Sequence, residues 1–397
     1  MSRGDASGRA ATRGGESSST PVTILSVVGA RPNFMKVAPI ARQIARDAPT
    51  WRHRIVHTGQ HYDPNMSEVF FRDLEIPEPD VYLGVGSGTH AEQTARVMLE
   101  LEAHLNRETP DLLLVVGDVN STLAATLVAV KRCIPVAHVE AGLRSYDREM
   151  PEEINRVITD AVADLLLTPS ADADENLKRE GVDAARIHRV GNVMIDSLLR
   201  YVPRARQTRA WEALDLVPRG YALVTLHRPS NVDDPATLRG VLKVLTQLAG
   251  RLPVVFPVHP RTRKMLQQLG LGQLPPALRL VDPIGYLEFL GLQAEARLVL
   301  TDSGGIQEET TVLGVPCLTL RKNTERPITV SEGTNRIVGS DAHAVWDAAR
   351  EALDQPMPAA KPPALWDGHT AERIVAVLGR FIESRRASGA QPPDVRA

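Results

Sequence analysis

The sequence predicts an α/β protein made of two doubly wound parallel sheets, and three observations carry that expectation. Short β-branched apolar runs alternate with longer amphipathic ones, the pattern of parallel strands covered by helices on both faces. The alternation falls into two series, separated by a polar, Arg-rich stretch near residues 201–220 that contains Pro218. The chain has 397 residues, enough for two domains at the usual size of about 100–200 residues each.

Residues 1–20 contain almost nothing apolar larger than alanine, so they are expected to form a disordered tail rather than a signal peptide. A first domain, 21–200, is expected to carry strands at Val22–Val28, Arg54–His57, Leu112–Val116, Val136–Val139, Leu165–Thr168 and His188–Val190. Helical patterns lie between them, for example Ala91–Leu105 and Pro151–Ala163. A second domain, 201–368, comes next with strands at Tyr221–Leu226, Val254–Val258, Leu278–Val281, Leu298–Thr301 and Cys317–Leu320. After the proline-rich stretch Gln355–Pro363, the amphipathic run Thr370–Glu383 predicts a C-terminal helix over 369–386 that packs back on the first domain.

Composition narrows the function. Net charge is −2 with acidic and basic residues interspersed, so neither nucleic acid nor an anionic membrane is an expected partner. No apolar run approaches the roughly 18 residues that would suggest a membrane span. The two cysteines, Cys133 and Cys317, lie far apart beside proline-bounded apolar runs and read as buried reduced thiols, which fits a cytoplasmic protein. The expected ligand is a small molecule.

In doubly wound sheets ligands sit beyond the carboxyl ends of the strands, and here those ends are rich in chemistry. Val28 is followed by a loop holding Arg31, with Lys36 just beyond Pro32, which suits a first helical position; Val116 is followed by Gly117-Asp118, and Val139 by Glu140. In the second half Leu226 is followed by His227-Arg228, Val258 by His259, and Thr301 by Asp302-Ser303-Gly304-Gly305. The last segment reads as strand, glycine turn and helix, whose free N–H groups suit a phosphate; the same residues also fit an ordinary N-cap and turn. Arg31 and Lys36 add fixed positive charge.

Asp118, Glu140 and Glu152 form a set of carboxylates whose environments can diverge, as sugar chemistry at an anomeric carbon requires. Asp118 also fits a cap ahead of Asn120, and Glu152 or Glu153 a helix N-terminus. His227 and His259 suit a phosphate or a proton transfer. No GxGxxG spacing supports a nicotinamide cofactor, and no HxH or HxxxH spacing joins His227, His259 and Asp302 into a zinc site. Neither cofactor nor metal is expected.

Taken together and in order, Gly29-Ala-Arg-Pro-Asn-Phe-Met-Lys36, Thr58-Gly-Gln-His61, Gly117-Asp118, His138-Val-Glu-Ala-Gly-Leu-Arg144, Pro151-Glu-Glu-Ile-Asn-Arg156, His227-Arg228, Pro257-Val-His259, Thr301-Asp-Ser-Gly-Gly-Ile-Gln-Glu-Glu309 and Glu325-Arg-Pro327 resemble the non-hydrolysing UDP-N-acetylglucosamine 2-epimerase family. The resemblance spans roughly Val22 to Arg380. It implies the GT-B arrangement, two Rossmann-like domains facing a central cleft, with the nucleotide held mainly by the second. It implies a UDP-sugar substrate, no redox cofactor and a homodimer. UDP would leave C1 as the C2 proton is removed, giving 2-acetamidoglucal, and would then add back as a proton returns to the opposite face.

By position, Asp118, Glu140, Glu152 and His227 match the family's catalytic residues. Arg31, Lys36, His259, Phe289, Ser303, Gly304, Gly305, Glu309 and Arg326 match its nucleotide-binding positions, with Glu309 suited to ribose hydroxyls and Phe289 to a contact near uracil. Two segments depart from the pattern: Pro229-Ser230-Asn231 after His227-Arg228, and Tyr62-Asp63-Pro64-Asn65-Met66 after Gln60-His61. The second resembles relatives acting on UDP-linked diacetamido-uronic acids. The alternative expectations are therefore a 2-epimerase of such a uronic acid, a GT-B glycosyltransferase requiring an acceptor, and a hydrolysing epimerase releasing free sugar.

Overall fold

The computed structural model describes residues 21–60, 75, 77–268 and 274–389 of the chain. The tail 1–20, His61 and the Tyr62–Met66 segment lie outside the described residues. The first sheet holds β1 (Thr23–Val28), β2 (Arg52–His57), β3 (Val81–Tyr82), β4 (Leu112–Val116), β5 (Val136–Val139), β6 (Leu165–Thr168) and β7 (Ile187–Arg189). The second holds β8 (Ala222–Thr225), β9 (Val254–Pro257), β10 (Leu278–Val281), β11 (Leu298–Thr301), β12 (Cys317–Thr319) and β13 (Asn335–Ile337). All recorded pairings are parallel, in the orders β3-β2-β1-β4-β5-β6-β7 and β10-β9-β8-β11-β12-β13.

This is the expected two-domain α/β fold. The strand runs were readable because both faces are covered: all five residues of β4 and all four of β11 are buried, so each reads as a continuous apolar block. Two strands escaped the sequence reading. β3 has two residues, neither buried, and β13 is the polar edge tripeptide Asn335-Arg336-Ile337. Edge strands this short carry no period-2 signal.

The helices are α1 (Arg31–Asp47), α2 (His90–Leu105), α3 (Asn120–Lys131), α4 (Pro151–Val162), α5 (Ala171–Arg179), α6 (Val193–Gln207), α7 (Pro229–Val232), α8 (Pro235–Ala249), α9 (Pro260–Gln268), α10 (Tyr286–Ala294), α11 (Gly304–Leu313), α12 (Ile328–Ser331), α13 (Ala342–Asp354) and α14 (Thr370–Ala387). None of the described helices is long and apolar enough to cross a membrane. α6 runs through Tyr201, which is buried and edge-on to the Tyr286 ring at 6.3 Å between centroids. The chain thus leaves the first sheet as a helix packed against α10 of the second, not as an exposed linker. α14 lies against α1 and α6, and the Asp196 carboxylate on α6 accepts its first two N–H groups, from Thr370 at 3.1 Å and Ala371 at 2.7 Å. That carboxylate supplies the missing helix-start partners.

One cysteine departs from expectation. Cys317 is buried, and burial pushes its thiol up to about 12, whereas Cys133 is exposed. Cys133 sits in the turn after α3 with φ of 56°, so its backbone, not an apolar pocket, decides its place.

Candidate active site

Strand order reverses between β1 and β4 in the first sheet and between β8 and β11 in the second. A crevice opens at such a switch point because neighbouring connections leave toward opposite faces. At the first crevice stand Arg31 and Lys36, in the first turns of α1 rather than in a loop, and Asp118 after β4; at the second, the segments after the strands carry His227 and Asp302-Ser303.

In the first crevice, Asn33 stitches the two loops together. Its amide oxygen accepts from the N–H groups of Gly29 and Ala30 at 3.1 and 3.0 Å, and its nitrogen donates to the Val116 carbonyl at 3.0 Å. Lys36 comes next on the buried side of α1 and its ammonium pairs with Glu140. Gly117 keeps this contact open. Its φ is +67°, and a Cβ there would lie 2.9 Å from the Lys36 Nζ.

Glu140 directly follows β5 with φ of 72°, unusual for a residue with a side chain. Its other carboxylate oxygen accepts from Arg326 at 2.7 Å, across the cleft between the sheets. Burial alone would raise this carboxyl; Lys36 and Arg326 outweigh it and hold it below its ordinary range. Asp118 is half-buried and bonded to Arg156, whose guanidinium also reaches Glu153 at 2.7 Å. Asp118 therefore meets a cation on α4 rather than capping α3. Of the adjacent pair, Glu153 is the structural one: it accepts from the Ser145 and Tyr146 N–H groups at 2.9 and 2.8 Å. Glu152 is left at the cleft, one of the carboxylates whose charge reaches Arg228 of the opposite domain.

In the second crevice, the His227 Nδ1 lies 2.9 Å from the buried Asp302 carboxylate, which also accepts from the Arg228 N–H and the Asn231 amide, each at 3.0 Å. The Asn231 bond gives the departure Pro229-Ser230-Asn231 a structural meaning: these residues form a short helix, α7, tied to the strand end. The His227 ring is otherwise exposed, oriented and free on its cleft side. His259 lies exposed beyond β9, and Phe289 is half-buried on α10 among Leu292, Ile306 and Leu313.

Ser303 stands at the N-cap of α11 without a side-chain cap bond. Neither glycine after it has positive φ, so they do not form the tight turn expected from sequence. Their value is the missing side chain. A Cβ at Gly304 would lie 2.6 Å from the Arg326 Nη1, whereas one at Gly305 would meet nothing within 4 Å. Glu309, one turn into α11, is buried, and burial lifts its carboxyl to about 7.

Arg326, expected among the nucleotide contacts, stands in a buried ionic cluster. Its guanidinium pairs with Glu140, Glu308 and Glu325, each at 2.7 Å, and is enclosed. Arg321 braces Glu325 at 2.8 Å. Three carboxylates (Glu140, Glu308, Glu325) thus face three cations (Lys36, Arg321, Arg326), and burial with the nearby Glu140 charge lifts Glu308 to about 7 against the pull of Arg326. Arg156, Glu308 and Glu325 had no assigned role in the sequence reading. They lie inside quoted motifs, but only folding shows that they meet.

The comparisons with known proteins fit this geometry. The family model described as UDP-N-acetylglucosamine 2-epimerase matches residues 43–379. The chain belongs to that family. It is 42% identical over 360 residues to the UDP-N-acetylglucosamine 2-epimerase of Methanocaldococcus jannaschii, covering 89% of this chain and 97% of the relative. It is 44% identical over 333 residues to the UDP-2,3-diacetamido-2,3-dideoxy-D-glucuronate 2-epimerase of Pseudomonas aeruginosa, covering 83% and 92%. The crystal structure of the M. jannaschii UDP-GlcNAc 2-epimerase in complex with UDP-GlcNAc and UDP matches with a TM-score of 0.81 and 41% identity, over 90% of this chain and all of that one. As a member of the epimerase family the protein is an isomerase, and its two facing sheets are of the GT-B type.

Carboxyls raised by burial make stability depend on pH. Glu309 stays protonated in the folded state up to about 7 but ionises near 4.3 when unfolded. Its contribution is therefore present at low pH and lost as pH rises from about 4.3 through 7. Thermal melts of Glu309→Gln at pH 5 and pH 8 check this: the melting temperature of the variant, relative to the parent, should move upward between the two.

Proposed function

We propose that the protein interconverts UDP-N-acetylglucosamine and UDP-N-acetylmannosamine by elimination and re-addition of UDP. The observation that carries the reading is the placement of Asp118 and Glu140 just after the adjacent strands β4 and β5, with His227 after β8 in the opposing sheet. The C2–H has no neighbouring carbonyl and becomes acidic only as positive charge develops at C1. Base and departing pyrophosphate must therefore act together.

In the forward half, the C1–O bond breaks with its electrons going to UDP while a carboxylate takes the C2 proton, and the pair left at C2 forms the C1=C2 bond. UDP returns as a proton is delivered to the opposite face. Asp118, Glu140 and Glu152 supply the carboxylates. His227, oriented by Asp302, attends the pyrophosphate, and the N-terminus of α11 with the open space at Gly305 receives its oxygens. Arg31, Lys36 and His259 add positive or hydrogen-bonding groups, Phe289 lies near the uracil and Glu309 faces the ribose. Proton NMR in D₂O tests the reaction. Deuterium at C2 together with UDP-N-acetylmannosamine signals, with no acceptor added, is the expected result; a product requiring an acceptor, or free N-acetylmannosamine, would favour a glycosyltransferase or a hydrolysing epimerase instead.

The 44% identity to the diacetamido-uronate enzyme supports a second reading in which the sugar carries a C6 carboxylate. Turnover of that substrate with negligible turnover of UDP-N-acetylglucosamine would select it. The proposed setting is a cytoplasmic homodimer.

Gly304 and Gly305 separate packing from ligand contact. Gly305→Ala should leave the melting temperature unchanged and weaken UDP binding about tenfold or more, about 1.4 kcal/mol, because its new methyl points into open space. Gly304→Ala should instead displace Arg326 and lower turnover. Calorimetric titration with UDP and thermal melts distinguish them.

A further inference from the structure

Beneath the two strand-end carboxylates lies a buried ionic array that the reaction as proposed does not use. His138, two residues before Glu140 on β5, is fully buried. Its Nδ1 lies 2.6 Å from the Asp160 carboxylate on α4, and its Nε2 lies 2.8 Å from the Gly117 carbonyl. A carboxylate and a carbonyl only accept, so both bonds form only when each ring nitrogen carries hydrogen. Asp160 is itself braced: its second oxygen accepts from the Gly142 N–H at 3.0 Å and from Arg144 at 2.8 Å. Arg144 is held in turn by Glu180 through two bonds of 2.7 Å and by the Leu143 carbonyl at 2.7 Å.

We propose that His138, held as an imidazolium between the Asp160 carboxylate and the Gly117 carbonyl, is a positioning residue that sets the Gly117–Asp118 turn against Glu140. The proposal rests on the reading that Asp118 and Glu140 act on the sugar. A buried ion pair seldom contributes net stability over apolar residues of the same volume, so the array needs another explanation than packing. The Gly117 carbonyl supplies one. It belongs to a residue at φ +67°, the last before Asp118, and the next carbonyl, that of Asp118, is held by the Asn155 amide at 2.8 Å. The turn carrying Asp118 is thereby pinned at two successive carbonyls, and an apolar residue at 138 would leave the first of them unbound. On the other side of the ring, the backbone runs directly into Glu140, whose N–H donates to the Leu167 carbonyl at 3.0 Å. One side chain therefore relates the backbone of β4 to the carboxylate of β5. The charge of His138 also favours ionised Glu140 and ionised Asp160.

Two experiments test this on the full-length enzyme. The first takes kcat and KM for the UDP-sugar, UDP affinity and melting temperature for His138→Gln, Asp160→Asn and the double variant. A positioning role predicts that each single change lowers kcat about 10- to 100-fold, the scale for removing an outer support of a reacting group. KM and UDP affinity should stay within about twofold, and the double variant should be no worse than the weaker single. A folded His138→Gln enzyme with parental kcat, or losses that follow the melting temperature in kcat and UDP affinity alike, would overturn it. The second records ¹⁵N spectra of histidine-labelled parent at the assay pH, with His138→Gln identifying the resonances. Two protonated ring nitrogens are expected, and one bare nitrogen would overturn the imidazolium assignment whatever the enzyme's substrate. Absence of C2 exchange in the parent would instead overturn the functional reading and leave the spectra to judge the ring.

Discussion

Glu140→Gln should lower kcat by at least about 10²-fold, the scale for losing a general acid or base, while UDP binds almost as before. The amide keeps the size and one acceptor but removes the charge that Lys36 and Arg326 surround. The Gln side chain would also turn one N–H₂ toward a cation, so the loss combines absent proton transfer with misplacement of Lys36. Steady-state kinetics with isothermal titration of UDP separates the two effects. Asp118→Asn should fall in the same range, because Asp118 is half-exposed at the cleft and its partner Arg156 is anchored separately by Glu153. Parental rates in both variants would remove the carboxylate mechanism.

The second large effect is expected at Arg326. Its removal leaves Glu140, Glu308 and Glu325 buried with only Lys36 and Arg321 beside them, and stripping one partner from a buried ionic cluster costs about 3–5 kcal/mol. Arg326→Ala should therefore lower the melting temperature and abolish turnover together. Arg326→Lys restores one charge but cannot reach three carboxylates arranged around a planar fork, so its melting temperature should recover further than its rate. A variant that melts like the parent yet binds UDP weakly would place Arg326 back among the nucleotide contacts.

What the sequence disclosed and what it hid divide along physical lines. β4, β5, β6 and β11 matched their expected bounds residue for residue because parallel strands buried on both faces leave uninterrupted apolar blocks; the edge strand β10 matched as well, although only Leu278 of its residues is buried. The charged strand ends were legible as candidates for the same reason: a polar residue directly after such a block stands at the sheet's carboxyl edge. Distances across the cleft were not. Glu308 and Glu309 are neighbours in one motif, yet one faces Arg326 and the other lies near Tyr286, a difference set by helical rotation of about 100° per residue. The array around His138 was hidden for another reason. His138 and Asp160 are 22 positions apart, with nothing in that spacing to mark a pair. Likewise, the two glycines of α11 looked like a turn, and only the proximity of Arg326 reveals why a side chain is unwelcome at Gly304.

The bond from Arg326 to Glu140 has a mechanical consequence. Pulling the two lobes apart would expose a carboxylate and a guanidinium whose other partners stay behind on opposite sides of the gap. Parting the lobes would therefore separate a buried ion pair, in addition to undoing the packing of α6 on α10. The two lobes are accordingly tied by a charge pair as well as by packing, so altering the charge at either Glu140 or Arg326 should be felt on both sides of the cleft.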